Sequence, residues 1–192
     1  MAFLGHDNEE AFRSVEGEGI WLRRPELKHY SEWANLRAVS RTFLTPWEPT
    51  WPVDDLTRES FRARLRRYSD DARDGRSFPF FILRNEDGVL VGGLTLSRVQ
   101  RGVAQSGVLG YWIGAPYQRN GYMLSAVRAL IRFAFDPLDL HRIEAACVPE
   151  NTASRSLLLK AGFREEGLAR SYLRINGMWR DHCLFGLVRS EP

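Results

Sequence analysis

The first residues with a chemical reading lie at Gln118-Arg119-Asn120-Gly121-Tyr122-Met123. They follow the apolar, strand-like run from Val108 to Ile113 and precede a helical stripe of Met123, Val127, Leu130, Ile131 and Ala134. Gly121 therefore falls at the first turn of a helix, where unpaired N–H groups and the helix dipole favour an anion, and it permits close backbone approach. Taken alone, Gly121 reads more readily as a plain strand-to-helix connection with glycine for turning. Asn151 and Ser154, three residues apart, both read as capping side chains at a second helix start. Cys147 and Cys183 sit in apolar, strand-like surroundings and read as small buried hydrophobes; no disulfide is assigned. A nucleophilic Cys147 would need an activating His/Asp pattern, and none stands near it.

The elements that must position these residues follow from periodicity. Residues 1 to about 18 lack an apolar period and read as an arm or early loop. Ile20 to Arg23 is strand-like, and after Pro25 the residues Leu27, Tyr30, Trp33 and Leu36 recur at three-residue steps, which predicts an amphipathic helix. Three prolines keep Thr45 to Pro52 out of regular structure, leaving a loop rich in aromatics. Asp54 or Asp55 caps the next helix, which carries Phe61, Leu65 and Tyr68 on one face and stops at Gly75. Phe78 to Leu83 and Val89 to Leu96 read as an antiparallel hairpin, with Val108 to Ile113 as the next strand. After the helix from Gly121 to Phe135 come a strand from Arg142 to Val148 and a short helix from Asn151 to Lys160. A closing hairpin, Ser171–Ile175 with Trp179–Val188, turns at Asn176-Gly177. The order is mixed α/β with a largely antiparallel sheet, in one domain spanning 1–192.

Composition bounds the function. A chain of 192 residues with 44% hydrophobic content buries a sizeable core without metals or cross-links. No stretch approaches the roughly 20 apolar residues that span a bilayer, and the start lacks a basic region followed by an apolar run, so a soluble cytoplasmic protein is expected. Net charge is only +3, and the densest arginine cluster, Arg58 to Arg73, is interleaved with Glu59, Asp70 and Asp71. That is a solvated helix face, not a phosphate track, and no direct nucleic-acid partner is expected.

Taken with its context, the glycine loop resembles the cofactor motif of the GCN5-related N-acetyltransferase (GNAT) superfamily, Gln/Arg-x-x-Gly-x-Gly/Ala after a strand ending in an aliphatic residue, here Ile113. Met123 departs from the usual small residue, as in the ribosomal-protein branch of that superfamily. The successive blocks His141-Arg142-Ile143-Glu144-Ala145, Asn151-x-x-Ser154, Lys160-Ala161-Gly162-Phe163, Glu166-Gly167 and Trp179-Arg180-Asp181-His182 are similar to ribosomal-protein-alanine N-acetyltransferases of the RimJ/RimL type. Phe43 to Pro49 resembles the Pro-Trp-Glu-Pro loop of the RimJ branch, and the resemblance runs from about residue 20 to 188.

The resemblance implies acetyl-CoA as co-substrate, no metal, and a primary amine as acceptor: the N-terminus of a ribosomal or other protein, or else a small-molecule amine. A third reading is a non-catalytic, ribosome-associated module that keeps the fold, against which the intact loop from Gln118 to Gly121 stands. A monomer is the default of the branch. It implies a cofactor site made of Ile113, Gln118, Arg119, Asn120, Gly121, Tyr122 and Met123, with the pantetheine arm between the strand of Ile113 and the splayed strand of Glu144. Gly107, Gly110 and Gly114 are places where a bulge would open that splay. Asn151 would bond the pantetheine as well as cap its helix, and Lys160 either reaches the nucleotide end or is solvated. Ser154 matches the serine that RimL-type enzymes are thought to aim at the coenzyme A sulfur, with capping as its other role. Glu144 is the candidate base, with an arginine salt bridge as the equal alternative. The tyrosine acid of other superfamily members is replaced by Leu158. Trp47, Tyr111 and Tyr172, with Trp51 and Trp112, are candidates for the acceptor groove, and Trp47 is preferred because it lies in a proline-rich loop.

Overall fold

Alternating burial along β-branched and aromatic runs builds one eight-stranded sheet in the computed structural model, which describes residues 12–189. The strands are β1 (Ser14–Gly17), β2 (Ile20–Arg23), β3 (Phe78–Arg84), β4 (Leu90–Gln100), β5 (Ser106–Ile113), β6 (Arg142–Cys147), β7 (Arg164–Ile175) and β8 (Met178–Val188). Their spatial order is β1-β2-β3-β4-β5-β6-β8-β7, antiparallel throughout except between β5 and β6. The helices are α1 (Tyr30–Val39), α2 (Arg41–Leu44), α3 (Arg58–Arg73), α4 (Tyr122–Phe135) and α5 (Thr152–Lys160). The mixed α/β class and its mainly antiparallel sheet are as the periodicity predicts.

Helix α4 is held by the stripe that announced it. Met123, Ala126, Val127, Ala129, Leu130, Phe133 and Ala134 are buried, and Phe133 meets Phe78 and Phe80 edge-on at 5.4 and 5.3 Å. Each large side chain there contributes about 1.5–3 kcal/mol by leaving water. On the other face of the sheet, Trp33 and Leu36 of α1 and Phe61 of α3 pack on Phe81 and Leu90. The α4 face, packed on β1 to β4 and β6, is therefore a core separate from the α1–α3 face.

Four local expectations change. Residues 14–17, expected in an arm, form β1 on β2, and Phe12 is buried edge-on between Phe78 and Phe80 at 5.3 and 5.2 Å. Two apolar residues, Phe12 and Val15, anchor this short edge strand, too few to show a period; residues 1–11 of the expected arm lie outside the described residues. Helix α3 is capped by Thr57, whose hydroxyl accepts from Ser60 N at 3.3 Å, while Asp54 accepts from Ser60 Oγ and Asp55 pairs with Arg64. The segment Thr45–Trp47 winds a 3-10 turn around Pro46 before the chain becomes irregular. Strand β7 begins at Arg164, not Ser171, because register shifts at Gly167 and around Ser171 break its alternation. The turn at Asn176-Gly177 is as expected, with both φ positive at 44° and 82°.

Candidate active site

The parallel pair at the centre of the sheet is short. Residues Ser106 to Leu109 of β5 pair with Arg142 to Ala145 of β6, and beyond that point the two strands part. From Gly110 to Ile113, β5 keeps only its β4 neighbour among the described residues. A cleft therefore opens between Gly110–Ile113 on one side and Ala146, Cys147 and the start of α5 on the other. The register of β5 against β4 is unbroken from Val108 to Ile113, so no bulge falls at Gly110, and the one register shift lies opposite Gly107. The nearest irregularity is on β4, between Ser97 and Gln100, with Arg98 at φ 49°. Gly114 has a different role: a Cβ there would run into the buried Leu36 side chain, which would have to shift.

At the top of the cleft the chain turns through the anion loop. Gln118, Arg119, Asn120 and Gly121 are exposed, Arg119 and Gly121 take φ of 63° and 81°, and Asn120 Nδ2 donates to Gln118 O at 3.1 Å. The N–H groups of Tyr122, Met123 and Leu124 have no partner among the described residues, and a Cβ on Gly121 would meet nothing within 4 Å. Open space above unpaired amides at the positive end of α4 fits a phosphate. Met123 turns its side chain into the core, leaving only its backbone at the loop; that is how a bulky residue stands where a small one is usual. Tyr122 is half-buried, and Lys160 is exposed at the far end of α5.

Across the cleft, Asn151 Oδ1 accepts from Ser154 N at 3.0 Å and so caps α5. The hydroxyl of Ser154 is thereby released from capping and shares a hydrogen bond of 2.7 Å with Tyr111 Oη. This contact bridges the two splayed walls. Burial pushes the Tyr111 phenol above its ordinary value, so it stays protonated at neutral pH, and either hydroxyl can donate in the shared bond. Burial also raises the Cys147 thiol, with a weaker opposing contribution from Ser154, which keeps it protonated and poorly nucleophilic. Leu158, in place of a tyrosine, is buried in the core.

Glu144 lies on the opposite face of β6 from Cys147, in register with Val108. Arg142 Nε donates to its Oε1 at 2.9 Å, and the same guanidinium grips Glu166. The arginine salt bridge weighed as the alternative for Glu144 is therefore formed.

A second feature continues from Gly110, Tyr111 and Trp112. A pocket of about 380 Å³ extends from these residues to Trp33, Phe81 and the segment Glu48 to Pro52. Tyr111 lines it; Trp47 and Tyr172 do not, and Tyr172 packs instead on the His182 ring at 5.8 Å. Trp51 takes the place expected for Trp47. Glu48 accepts from Arg37 NH1 and NH2 at 2.7 and 2.6 Å and from Trp51 Nε1 at 2.7 Å. The Arg37 guanidinium lies 4.0 Å from the Trp51 ring and 4.9 Å from the Trp112 ring. Asn176 N donates to Glu48 O at 2.9 Å, tying the loop to the closing hairpin. Arg37 and Glu48 escaped the sequence reading, although one signal was present: Arg37 follows Trp33 by four residues, on the inward stripe of α1.

Known proteins share this architecture. A family model described as "Acetyltransferase (GNAT) domain" matches residues 20–164. The [Ribosomal protein uS5]-alanine N-acetyltransferase of Escherichia coli is 36% identical over 158 residues, covering 82% of this chain and 81% of the relative. A probable N-acetyltransferase of Bacillus subtilis, YjcK, is 32% identical over 177 residues, covering 92% and 98%. Among solved structures, Mycobacterium smegmatis RimJ in complex with CoA-disulfide superposes with a TM-score of 0.85 at 34% identity, covering 91% of this chain and 85% of that one. On these matches, the chain belongs to the GNAT family and is an N-acetyltransferase.

Proposed function

We propose that this N-acetyltransferase moves the acetyl group of acetyl-CoA onto the N-terminal α-amine of a protein, a ribosomal protein being the first candidate, by direct attack in a ternary complex. The observation that carries this reading is the meeting of two spaces at Gly110–Trp112: the cleft below the anion loop, and the aromatic pocket beyond. When bound, acetyl-CoA supplies an acetyl thioester. The amides of Tyr122, Met123 and Leu124, with Gln118 to Gly121, would hold its pyrophosphate, and the free edge of β5 up to Ile113, with Asn151, its pantetheine arm.

Two proton transfers remain for the chain. An α-ammonium has a reference pKa of about 8, so at neutral pH most acceptor must lose a proton before it attacks. Glu144 is the candidate acceptor of that proton, working from its Arg142 pair at the foot of the cleft. Ser154 donates toward the sulfur side. Its hydroxyl is free of capping and faces the cleft beside a protonated tyrosine.

The test is acetyl transfer from acetyl-CoA to a panel of N-terminal peptides and small amines, read as thiol release. Turnover of peptides starting with alanine, at least about tenfold more efficient than that of any small amine, is expected. Preference for a polyamine or amino sugar would overturn the peptide reading, and no thiol release with any amine would overturn the transfer itself.

A further inference from the structure

The acceptor pocket holds four charged side chains, and they neutralise one another in pairs. Arg37 and Glu48 form the bidentate pair described above, with side-chain exposures of 9% and 19%. Arg64 NH2 meets Asp55 Oδ1 at 2.5 Å, with exposures of 25% and 12%. The other lining residues are aromatic, aliphatic, proline, glycine or threonine. Each carboxylate in the pocket is paired with a guanidinium and each guanidinium with a carboxylate, and the Nε atoms of Arg37 and Arg64, which make no hydrogen bond among the described residues, are buried out of a ligand's reach.

We infer that these two pairs determine specificity, making the pocket select an acceptor whose only charge is the reacting amine. The inference rests on the peptide reading and names its substrate class: an N-terminus followed by uncharged residues. A charged side chain entering the pocket loses its hydration between Trp51, Trp112 and Phe81, and each opposite charge available to it is already engaged. Glu48 accepts three hydrogen bonds, two from Arg37 and one from Trp51, which leaves little of its capacity to a newcomer. Main-chain atoms and small neutral side chains meet no such cost. Discrimination here comes from what the pocket rejects, since neither pair offers a free charge to attract.

The test uses four probes with the full-length enzyme: a peptide starting Ala-Ala-Ser, the same peptide with lysine or with glutamate at its second position, and spermidine. For the wild type, kcat/KM for the neutral peptide should exceed that for each charged probe by at least about tenfold. Arg64→Leu should raise kcat/KM for the lysine peptide or spermidine relative to the neutral peptide by about tenfold, by freeing Asp55. Arg37→Leu should act in the same direction through Glu48, and Arg64→Leu stands alone if Arg37→Leu does not fold. Equal turnover of neutral and charged peptides by the wild type would overturn the inference while leaving peptide acetylation in place. An unchanged ratio in folded Arg64→Leu would likewise overturn it. Failure of the wild type on every peptide would instead remove the functional reading beneath it.

Discussion

The two ends of the cleft are built by opposite means. Toward the loop after β5, the surface offered to a ligand is backbone: unpaired amides of the first turn of α4, an open glycine, and side chains that are exposed or turned into the core. Toward the pocket, the surface is side chain locked by side chain: Arg37 from α1, Glu48 and Trp51 from the irregular loop, Trp112 from β5, Asp55 from the turn before α3 and Arg64 from α3. A backbone site depends on chain path and tolerates side-chain change. A site of interlocked side chains depends on each partner, because removing one leaves the other buried and unpaired.

The largest effect should therefore come from breaking the interlocked end. Arg37→Leu strands Glu48 beside Trp51, and thermal or denaturant unfolding should show a loss of roughly 3–5 kcal/mol, typical of a buried pair that loses one member. A loss under about 1 kcal/mol would mean that the pair behaves like a surface contact.

Between the two ends stands Ser154, where a single hydroxyl is asked to do chemistry. Ser154→Ala should lower kcat by about 10²-fold with little change in acetyl-CoA affinity, within the range for losing a general acid. Near-normal turnover of the folded variant would reduce the Tyr111–Ser154 contact to packing. Because Asn151 supplies the helix cap, the stability cost of Ser154→Ala should be confined to the lost Tyr111 hydrogen bond, about 1–3 kcal/mol.

A smaller, pH-dependent effect belongs to the pocket side, whose α1 helix follows a 3-10 turn at Leu27–His29. His29 Nδ1 accepts from Glu26 N at 3.1 Å, and burial, aided by Lys28, lowers its pKa below 6.5. The unfolded chain then binds the proton more readily. Its contribution to stability is present above about pH 6.5 and is lost as pH falls through the depressed folded value. Urea midpoints from pH 7.5 to 5 should decline more steeply for wild type than for His29→Gln; parallel declines would assign the pH dependence elsewhere. The smallest effect is expected on the backbone end: Asn120→Ala removes only a side-chain bond to Gln118 O and should change acetyl-CoA affinity by less than about threefold in calorimetry.

The same contrast explains what the sequence discloses. The anion loop is local: an aliphatic strand end, a glycine and an apolar stripe within about two dozen residues specify it, and Gly121, Tyr122 and Met123 sit where that pattern puts them. Asn151 and the Asn176-Gly177 turn are legible for the same reason. The pocket is not local. Arg37, Glu48, Asp55, Arg64, Trp112 and the anchoring Asn176 come from five parts of the chain, and their pairing is a property of packing that no short window contains. The preference for Trp47 over Trp51 shows the limit, since a proline-rich loop marks an irregular segment without saying which of its two tryptophans turns inward. Strand β1 was hidden because an edge strand of four residues buries too little to leave a period.

The claim on which the rest depends is that the cofactor's pyrophosphate sits on the Gly121 loop, and its most direct test is a thermal-shift titration with acetyl-CoA. A ligand that binds only the folded state adds about 2.7 kcal/mol at a hundred times its Kd, so the wild-type Tm should climb with acetyl-CoA concentration. Gly121→Glu places a carboxylate in the open space at a φ of 81° and should abolish the climb, whereas Gly121→Asn, which tolerates that backbone, should retain most of it. An equal climb in wild type and a folded Gly121→Glu variant would contradict the placement of the cofactor.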